Sequence, residues 1–245
     1  MSTKVYAIAS GKGGVGKTTT AANLGVSLRF NDQSTIIVDG DLGMPNLSEW
    51  FDVEYNTTLH QVMADEVSVY QATITLAPGF AILPGDDELD GFADADPTRF
   101  AYVIDRLKQQ YDVVLLDTGG GLSFENVLPL RIADEVILVT SPNSPAIKDT
   151  VRTKELVDIS GGNVSGVIVT KVPDSSEPQE IAREIGTDLI GSIPFENSID
   201  KSLSAGRLLE ATNPNSGAAK AYRRIGKDLL VFDESPIQDA KLANP

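Results

Sequence analysis

A glycine-rich loop near the N-terminus constrains the fold of this chain more than any other feature. Residues 11–19 have the sequence Gly-Lys-Gly-Gly-Val-Gly-Lys-Thr-Thr, which fits the phosphate-binding pattern G-x-x-x-x-G-K-[ST]. In such a loop, glycines let successive backbone N–H groups turn inward around phosphate oxygens at the positive end of a helix. The loop therefore needs a strand before it and a helix after it.

The flanking sequence supplies both elements. Residues 4–10 form a short apolar run with strand character, and apolar residues recur at helical spacing from Thr18 onward. We expect Lys17 to contact the β- and γ-phosphates and Thr18 to ligate Mg²⁺. The predicted nucleotide-binding residues of the loop are Gly11, Lys12, Gly13, Gly14, Val15, Gly16, Lys17, Thr18 and Thr19.

The same glycines also fit the dinucleotide-binding pattern G-x-G-x-x-G, and Asp39 follows them at about the distance of a ribose-binding acid. A dinucleotide site, however, has no use for Lys12, or for Lys17 and Thr18 directly after the last glycine. Nor does it need the second carboxylate at Asp41. These residues favour a triphosphate over a dinucleotide.

Three aspartates complete the predicted site, and they follow two further apolar runs. Residues 35–38 run into Asp39 and Asp41. Residues 112–116 run into Asp117, which a threonine and three glycines follow, as in a Walker B motif. An aspartate at such a place can also cap a helix. We assign Asp39 to the outer shell of Mg²⁺, Asp117 to a magnesium-bound water, and Asp41 to positioning the water that attacks the γ-phosphate.

The choice of base can be tested against the guanine-binding pattern Asn/Thr-Lys-x-Asp. Thr170 and Lys171 match its first two positions, but Pro173 stands at the acid position and Asp174 follows one residue late. We therefore predict that Thr170 and Lys171 lie at the nucleotide, and that ATP binds in preference to GTP.

Alternating apolar runs and helical patterns predict an α/β fold, with a mostly parallel sheet between two layers of helices. With 245 residues, 41% of them hydrophobic, the chain can bury one substantial core. We expect one P-loop domain over residues 1–232 and a polar, acidic, disordered tail over residues 233–245. The predicted strands are residues 4–10, 35–38, 80–83, 112–116, 135–139, 166–169 and 189–193, and the later predicted helices are residues 98–110, 146–159 and 218–230.

Composition excludes several classes of site. The chain has no cysteine, which removes disulfides, thiol catalysis and thiolate ligation of zinc or iron–sulfur clusters. The acidic segment at residues 86–96 lacks the spacing of a calcium loop, and we expect a solvated loop there. We interpret His60, the only histidine, as an incidental polar residue and Trp50 as a packing residue. With neither a signal peptide nor a long apolar stretch, the protein is expected in the cytoplasm.

The net charge of the chain indicates which kinds of partner it can bind. Thirty-five acidic and 20 basic residues give a formal net charge of −15, which disfavours binding to nucleic acid or to anionic lipid. The acidic excess is spread along the whole chain. This balance favours a protein from a salt-loving organism, although an ordinary acidic protein is the alternative.

Taken together, these motifs resemble those of the MinD/ParA family of deviant Walker A ATPases, nearest to its archaeal MinD-like members. The resemblance covers nearly the whole chain. Four segments carry it, namely residues 12–19, 38–47, 115–122 and 139–142.

The resemblance implies a cycle of assembly. In that family the early lysine, here Lys12, reaches the phosphates of a second copy, so that ATP binding produces a homodimer. Lys12, Lys17 and Asp41 would be catalytic, and residues 40–47 and 118–123 would be switches that respond to hydrolysis. Members position division proteins, plasmids or other cargo, and turn over slowly until a partner protein stimulates them. A scaffold with negligible turnover and a DNA-partition ATPase are the alternatives, and the missing cysteines argue against a metal-cluster carrier.

The sequence departs from the family pattern at two places, the C-terminal tail and Asn143. Division-site members usually end in a basic amphipathic helix that inserts into the membrane, whereas residues 233–245 are polar, acidic and bounded by prolines. We therefore do not expect the tail to bind membrane. Asn143 stands where relatives often carry an acid after Thr-x-Pro, which puts one contact near the nucleotide in question.

The acidic composition leads to a first prediction. The free energy of unfolding should rise between roughly 0.1 M and 3 M KCl, because salt screens the repulsion among the excess carboxylates. Denaturant titrations across this range, followed by circular dichroism, measure the effect. Full folding and solubility without added salt would contradict the interpretation of a salt-adapted surface.

Overall fold

The computed structural model describes residues 3–86, 95–121 and 124–234. The strands are β1 Lys4–Ser10, β2 Thr35–Gly40, β3 Ile74–Ala77, β4 Phe80–Leu83, β5 Val113–Gly120, β6 Glu135–Thr140, β7 Val164–Val172 and β8 Leu189–Pro194. The helices are α1 Lys17–Phe30, α2 Leu59–Met63, α3 Val69–Ala72, α4 Phe100–Leu107, α5 Phe124–Ile132, α6 Ser144–Ser160, α7 Pro178–Ile185, α8 Asn197–Ser204, α9 Leu209–Thr212 and α10 Gly217–Glu234, with 3₁₀ helices at Leu47–Phe51 and Pro97–Arg99.

One sheet of eight strands organises these elements, in the order β3-β4-β2-β5-β1-β6-β7-β8. All neighbouring strands are parallel except β3 and β4, which are antiparallel. The chain leaves β1 in the middle of the sheet, with β5 on one side and β6 on the other. In open α/β sheets, ligands bind at such a place, beyond the carboxyl ends of the strands.

The two faces of the sheet are covered by different helices, which gives three layers. Alternate residues of β1 point to opposite faces, so Val5 and Ala7 join one core while Tyr6 and Ile8 join the other. Helices α2, α4, α6 and α7 contribute to the first core, and α1, α9 and α10 contribute to the second. Both faces of the central strands are therefore apolar, as the unbroken apolar runs predict.

The predicted fold class is confirmed, and the predicted strands are all present. Strand β5 runs further than residues 112–116, because its glycines continue to pair with β1, as Gly120 does with Ser10. The edge strand β3 was missed from the sequence, since its residues alternate between half-buried and exposed and form no apolar run. Six helices of at most nine residues were also missed, because each is too short to show a helical pattern, namely α2, α3, α5, α7, α8 and α9.

Two expectations concern the ends and loops of the chain. The final helix continues to Glu234, so residues 233 and 234 belong to it rather than to the predicted tail. The remainder of that tail and most of the acidic segment at residues 86–96 lie outside the described residues. Among the helices that the structure describes, none is both long enough and apolar enough to cross a membrane. Trp50 is buried, in agreement with a packing role.

Candidate functional site

The glycine-rich loop joins β1 to α1 at the carboxyl edge of the sheet. Gly16 precedes the helix with φ of 98°, a left-handed conformation that favours glycine, and its carbonyl accepts the first helical hydrogen bond from the Thr20 amide at 2.9 Å. The Lys17 side chain is buried, whereas Lys12 is exposed at the tip of the loop. The Ser10 hydroxyl donates to the carbonyl of Lys12 at 2.9 Å, which holds the backbone there.

Strand β7 supports the loop from outside. The Thr170 hydroxyl lies 2.5 Å from the carbonyl oxygen of Val15 and 3.0 Å from that of Thr140, and can donate to either. The Lys171 ammonium donates to the carbonyl oxygen of Gly14 at 2.8 Å. Carbonyls that are bonded on the outer side leave the loop N–H groups free to face a ligand. Thr170 and Lys171 thus adjoin the predicted phosphate site through the backbone of the loop.

The carboxylate of Asp39 binds the backbone of the segment that follows it. One oxygen accepts from the amides of Asn46 and Leu47, both at 2.9 Å, and the other accepts from the Asp41 amide at 3.3 Å. We call residues 40–47 the first switch loop. Asp39 therefore fixes both ends of this loop. The sequence predicted a role for Asp39 in the outer shell of Mg²⁺ but did not predict these contacts with the loop.

Asp117 lies directly opposite Asp39 in the pairing of β2 with β5. Its side chain is hydrogen-bonded to the Thr18 hydroxyl, while its Oδ1 is buried without a hydrogen-bond partner. A buried carboxylate oxygen without a partner, next to a threonine hydroxyl and a phosphate loop, suits Mg²⁺, which takes one or two protein oxygens and completes its shell with phosphates and water. The described residues hold no cluster of three or more His, Cys, Asp or Glu side chains of the kind that binds a metal without substrate.

Burial dominates the electrostatics of these carboxyl groups. Burial, with an addition from the charge of Asp117, raises the pKa of Asp39 from 3.8 to about 8. Burial also raises the pKa of Asp117 to about 7, although the Thr18 hydroxyl and the Lys17 ammonium favour its charged form. The pKa of the half-buried Asp41 is raised by the same cause. A divalent cation beside this buried pair would offset the cost of burial and favour the charged forms of both carboxyls.

The end of β5 closes the site on its other side. A Cβ atom placed on Gly120 would lie 3.3 Å from the Gly13 amide nitrogen and 3.5 Å from the Lys17 ammonium. The side-chain amide of Asn126, on α5, donates to the carbonyl oxygens of Gly120 and Gly121 at 3.1 and 3.4 Å. Asn126 thus holds the glycines after Asp117 against the loop. Residues 122 and 123, the end of the predicted second switch, lie outside the described residues.

The predicted residues surround a cavity of about 710 Å³. Gly13 to Thr19, Asp41, Thr170 and Lys171 line it, whereas Gly11 and Lys12 lie outside its lining. Asp39 and Asp117 stand behind the lining, at the strand ends. The cavity also has an apolar wall that includes Trp50, Ile193, Ile199 and Tyr222. Such a cavity has room for a nucleotide, with its phosphates at the loop.

The sequence offered little indication of several supporting side chains. Asn126 has no motif around it, and Tyr222, whose hydroxyl lies 3.4 Å from that of Thr20, occurs in an ordinary helical pattern. His60 was interpreted as incidental, but its ring is fully buried and contacts the first switch loop. Asn143, the departure from the family pattern, caps α6 by accepting a hydrogen bond from the Ala146 amide at 3.0 Å.

Comparison with known proteins adds independent findings to this geometry. A family model described as an AAA domain matches residues 3–157. An uncharacterized ATP-binding protein of Methanocaldococcus jannaschii is 33% identical over 95% of this chain and 92% of its own length. The structure of the septum site-determining protein MinD from Pyrococcus horikoshii, complexed with Mg-ADP, has a TM-score of 0.87 at 32% identity and covers 96% of this chain and 100% of that one.

The chain belongs to the MinD/ParA family of P-loop ATPases. The septum site-determining protein MinD of Bacillus subtilis, a further relative, is 29% identical over 91% of this chain and 87% of its own length. The MinD/ParA resemblance seen in the sequence is therefore confirmed along nearly the whole chain.

The raised carboxyl pKa values lead to a prediction for the MinD-like protein without nucleotide or metal. A carboxyl whose folded pKa exceeds its unfolded pKa stabilises the fold below pH 4, and this stability is lost as the pH rises through about 7 to 8. The Asp39→Asn variant cannot ionise at this position. We expect it to lose less stability than the wild type between pH 5.5 and 9, by on the order of 2 kcal/mol.

Thermal denaturation in EDTA at several pH values measures this difference. The Asp105→Asn variant, altered at an exposed carboxylate on α4, serves as the matched control and should follow the wild-type profile. Parallel profiles for wild type and Asp39→Asn would show that the buried pair does not govern the pH dependence.

Proposed function

We propose that this protein is an ATP-dependent dimerising switch, which hydrolyses ATP to ADP and phosphate in order to position a cellular cargo or a division or motility machinery. One observation carries the proposal most directly. The phosphate loop, the Asp39 and Asp117 pair and the first switch loop meet at one edge of the sheet, around a cavity of nucleotide size. The Mg-ADP complex of the related MinD from Pyrococcus horikoshii supports the choice of ligand.

Each residue of the site has a distinct part in this proposal. The N–H groups of the loop and the Lys17 ammonium bind the β- and γ-phosphates. Thr18 and Asp117 are the protein groups that would hold Mg²⁺, with Asp39 behind them. When bound, Mg²⁺ neutralises charge on the phosphate oxygens. Asp41, half-buried on the first switch loop and lining the cavity, orients the water in line with the γ-phosphate.

Lys12 supports the dimeric part of the proposal. Its exposed position at the loop tip, outside the cavity lining, suits a side chain that reaches the phosphates of a second copy. A cation that crosses an interface to a polyphosphate forms charge-assisted hydrogen bonds that exist only in the nucleotide-bound dimer. Hydrolysis removes the γ-phosphate contacts of both switch segments, and the dimer loosens. A partner protein that completes or disturbs this interface would set the rate of turnover.

Opposite effects are expected from two substitutions. Asp41→Ala should lower the turnover number at least about 100-fold, because the attacking water loses its positioning group, and the dimer should accumulate in ATP. Lys12→Ala should retain ATP binding but remain monomeric, because it lacks the cross-interface cation. Light scattering with ATP, combined with phosphate release, measures both effects.

Surface substitutions of matched chemistry serve as controls. Asp105→Ala on α4 and Lys227→Ala on α10 change exposed residues away from the loop, and both should behave as wild type. A wild-type protein that stays monomeric in saturating ATP, or an Asp41→Ala variant with normal turnover, would refute the proposal.

Nucleotide selectivity provides a separate test. Pro173 replaces the acid that would pair with guanine, so ATP should displace a fluorescent ATP analogue at a concentration at least about tenfold lower than GTP, a difference of roughly 1.4 kcal/mol. Competition titrations with Mg²⁺ present measure the ratio. Equal displacement by the two nucleotides would contradict the preference.

A further inference from the structure

His60 connects the first switch loop to the loop that follows β4. Its ring, on α2, is fully buried. The Asp86 amide donates to Nδ1 at 2.9 Å, and Nε2 lies 3.0 Å from the carbonyl oxygen of Leu42. An amide N–H can only donate, so Nδ1 carries no proton and Nε2 must carry it. The ring therefore donates to Leu42, in the first switch loop.

The position of the ring is fixed by residues outside the nucleotide site. Thr58 and Gln61 form a capping box at the start of α2, with hydrogen bonds of 3.4 and 3.1 Å. The Leu59 amide donates to the carbonyl oxygen of Pro84 at 2.8 Å, which ties the helix to the loop after β4. A capped helix and a buried ring with bonds on both nitrogens provide a rigid donor.

The bond reaches the residue next to Asp41. The side chain of Leu42 is buried in the core. Its carbonyl oxygen is the group that the His60 ring contacts in the loop. The Asp41 carboxylate accepts from the Met44 amide at 3.1 Å, within the same loop, and the Asp41 amide donates to Asp39 at 3.3 Å. The other end of the loop is held by Asp39, through the amides of Asn46 and Leu47. Asp41 thus lies between two held points, its own amide on Asp39 and the Leu42 carbonyl on His60.

Burial also favours the state of the ring that this geometry needs. Burial lowers the pKa of His60, although the hydrogen bond to Leu42 and the charge of Asp86 oppose the shift. The neutral ring, with its proton on Nε2, satisfies both neighbours. A charged ring would carry a proton on Nδ1, facing the Asp86 N–H.

We propose that His60 is a positioning residue for ATP hydrolysis, which holds the Leu42 carbonyl and thereby fixes Asp41 against the γ-phosphate. The inference rests on the proposed function, since it needs Asp41 to orient the attacking water. In this proposal His60 does not contact the nucleotide, and it affects hydrolysis only through Leu42 and Asp41.

Two substitutions separate the two hydrogen bonds of the ring. In His60→Gln the amide nitrogen can take the place of Nε2 and donate to Leu42. In His60→Asn the oxygen can take the place of Nδ1 and accept from Asp86, but the side chain is too short for Leu42. We expect His60→Asn to lower kcat by about 10- to 100-fold with an unchanged KM for ATP, and His60→Gln to stay within about threefold of wild type.

A control on the same helix measures packing alone. Val62 is buried on α2 and has an apolar side chain, so Val62→Ala should lower stability while leaving kcat near its wild-type value. Equal losses of kcat in the Asn and Gln variants would overturn the inference. So would a normal kcat in His60→Asn, or failure of both variants to fold, because the ring would then serve only to pack.

A second measurement does not depend on turnover. Amide hydrogen exchange in residues 42–47 should be faster in His60→Asn than in wild type and should return to the wild-type rate in His60→Gln. Trp50, the only tryptophan, adjoins this loop on the 3₁₀ helix Leu47–Phe51 and reports its state by fluorescence. A wild type without ATPase activity would refute the proposed function, and unchanged exchange in His60→Asn would refute the role of His60.

Discussion

The parallel register of β1, β5 and β2 is the constraint on which the rest of the site depends. Asp117 lies opposite Ile8 of β1 on one side and opposite Asp39 of β2 on the other. Backbone hydrogen bonds fix this register, and a slip by one residue would turn a carboxylate to the opposite face of the sheet. Because all three strands end at the same edge, the phosphate loop and both switch segments begin within reach of one another.

Placing two carboxyl groups side by side in the interior has a cost that shapes the loops around them. Burial and mutual repulsion disfavour their charged forms, as the raised pKa of Asp39 shows. Backbone N–H groups from Asn46 and Leu47 offset part of this cost. The first switch loop is therefore held by the same carboxylate that would stand behind Mg²⁺. A change in charge at the proposed metal site would therefore act directly on the backbone of the loop that carries Asp41.

Much of the fold could be predicted because its strands and its glycine loop are local patterns. Apolar runs located the central strands, and the spacing of Lys17, Thr18, Asp39 and Asp117 indicated a triphosphate site. The edge strand β3 was missed because half of its residues are exposed. The sequence predicts that Thr170 and Lys171 lie at the nucleotide. Their hydrogen bonds to carbonyls of the phosphate loop could not be predicted, because they join residues about 155 positions apart.

The sequence by itself determined the chemistry that is available and the order in which it occurs. Strand, glycine loop and helix, followed by aspartates at two strand ends, are properties of neighbouring residues, and each has a local physical cause. Only the tertiary structure decided which side chains hold that chemistry in place. Asn126 and His60 carry no motif, and their hydrogen bonds arise because packing brings them to the carbonyls of Gly120 and Leu42. Hydrogen bonds between distant segments depend on the folded geometry, which no local pattern encodes.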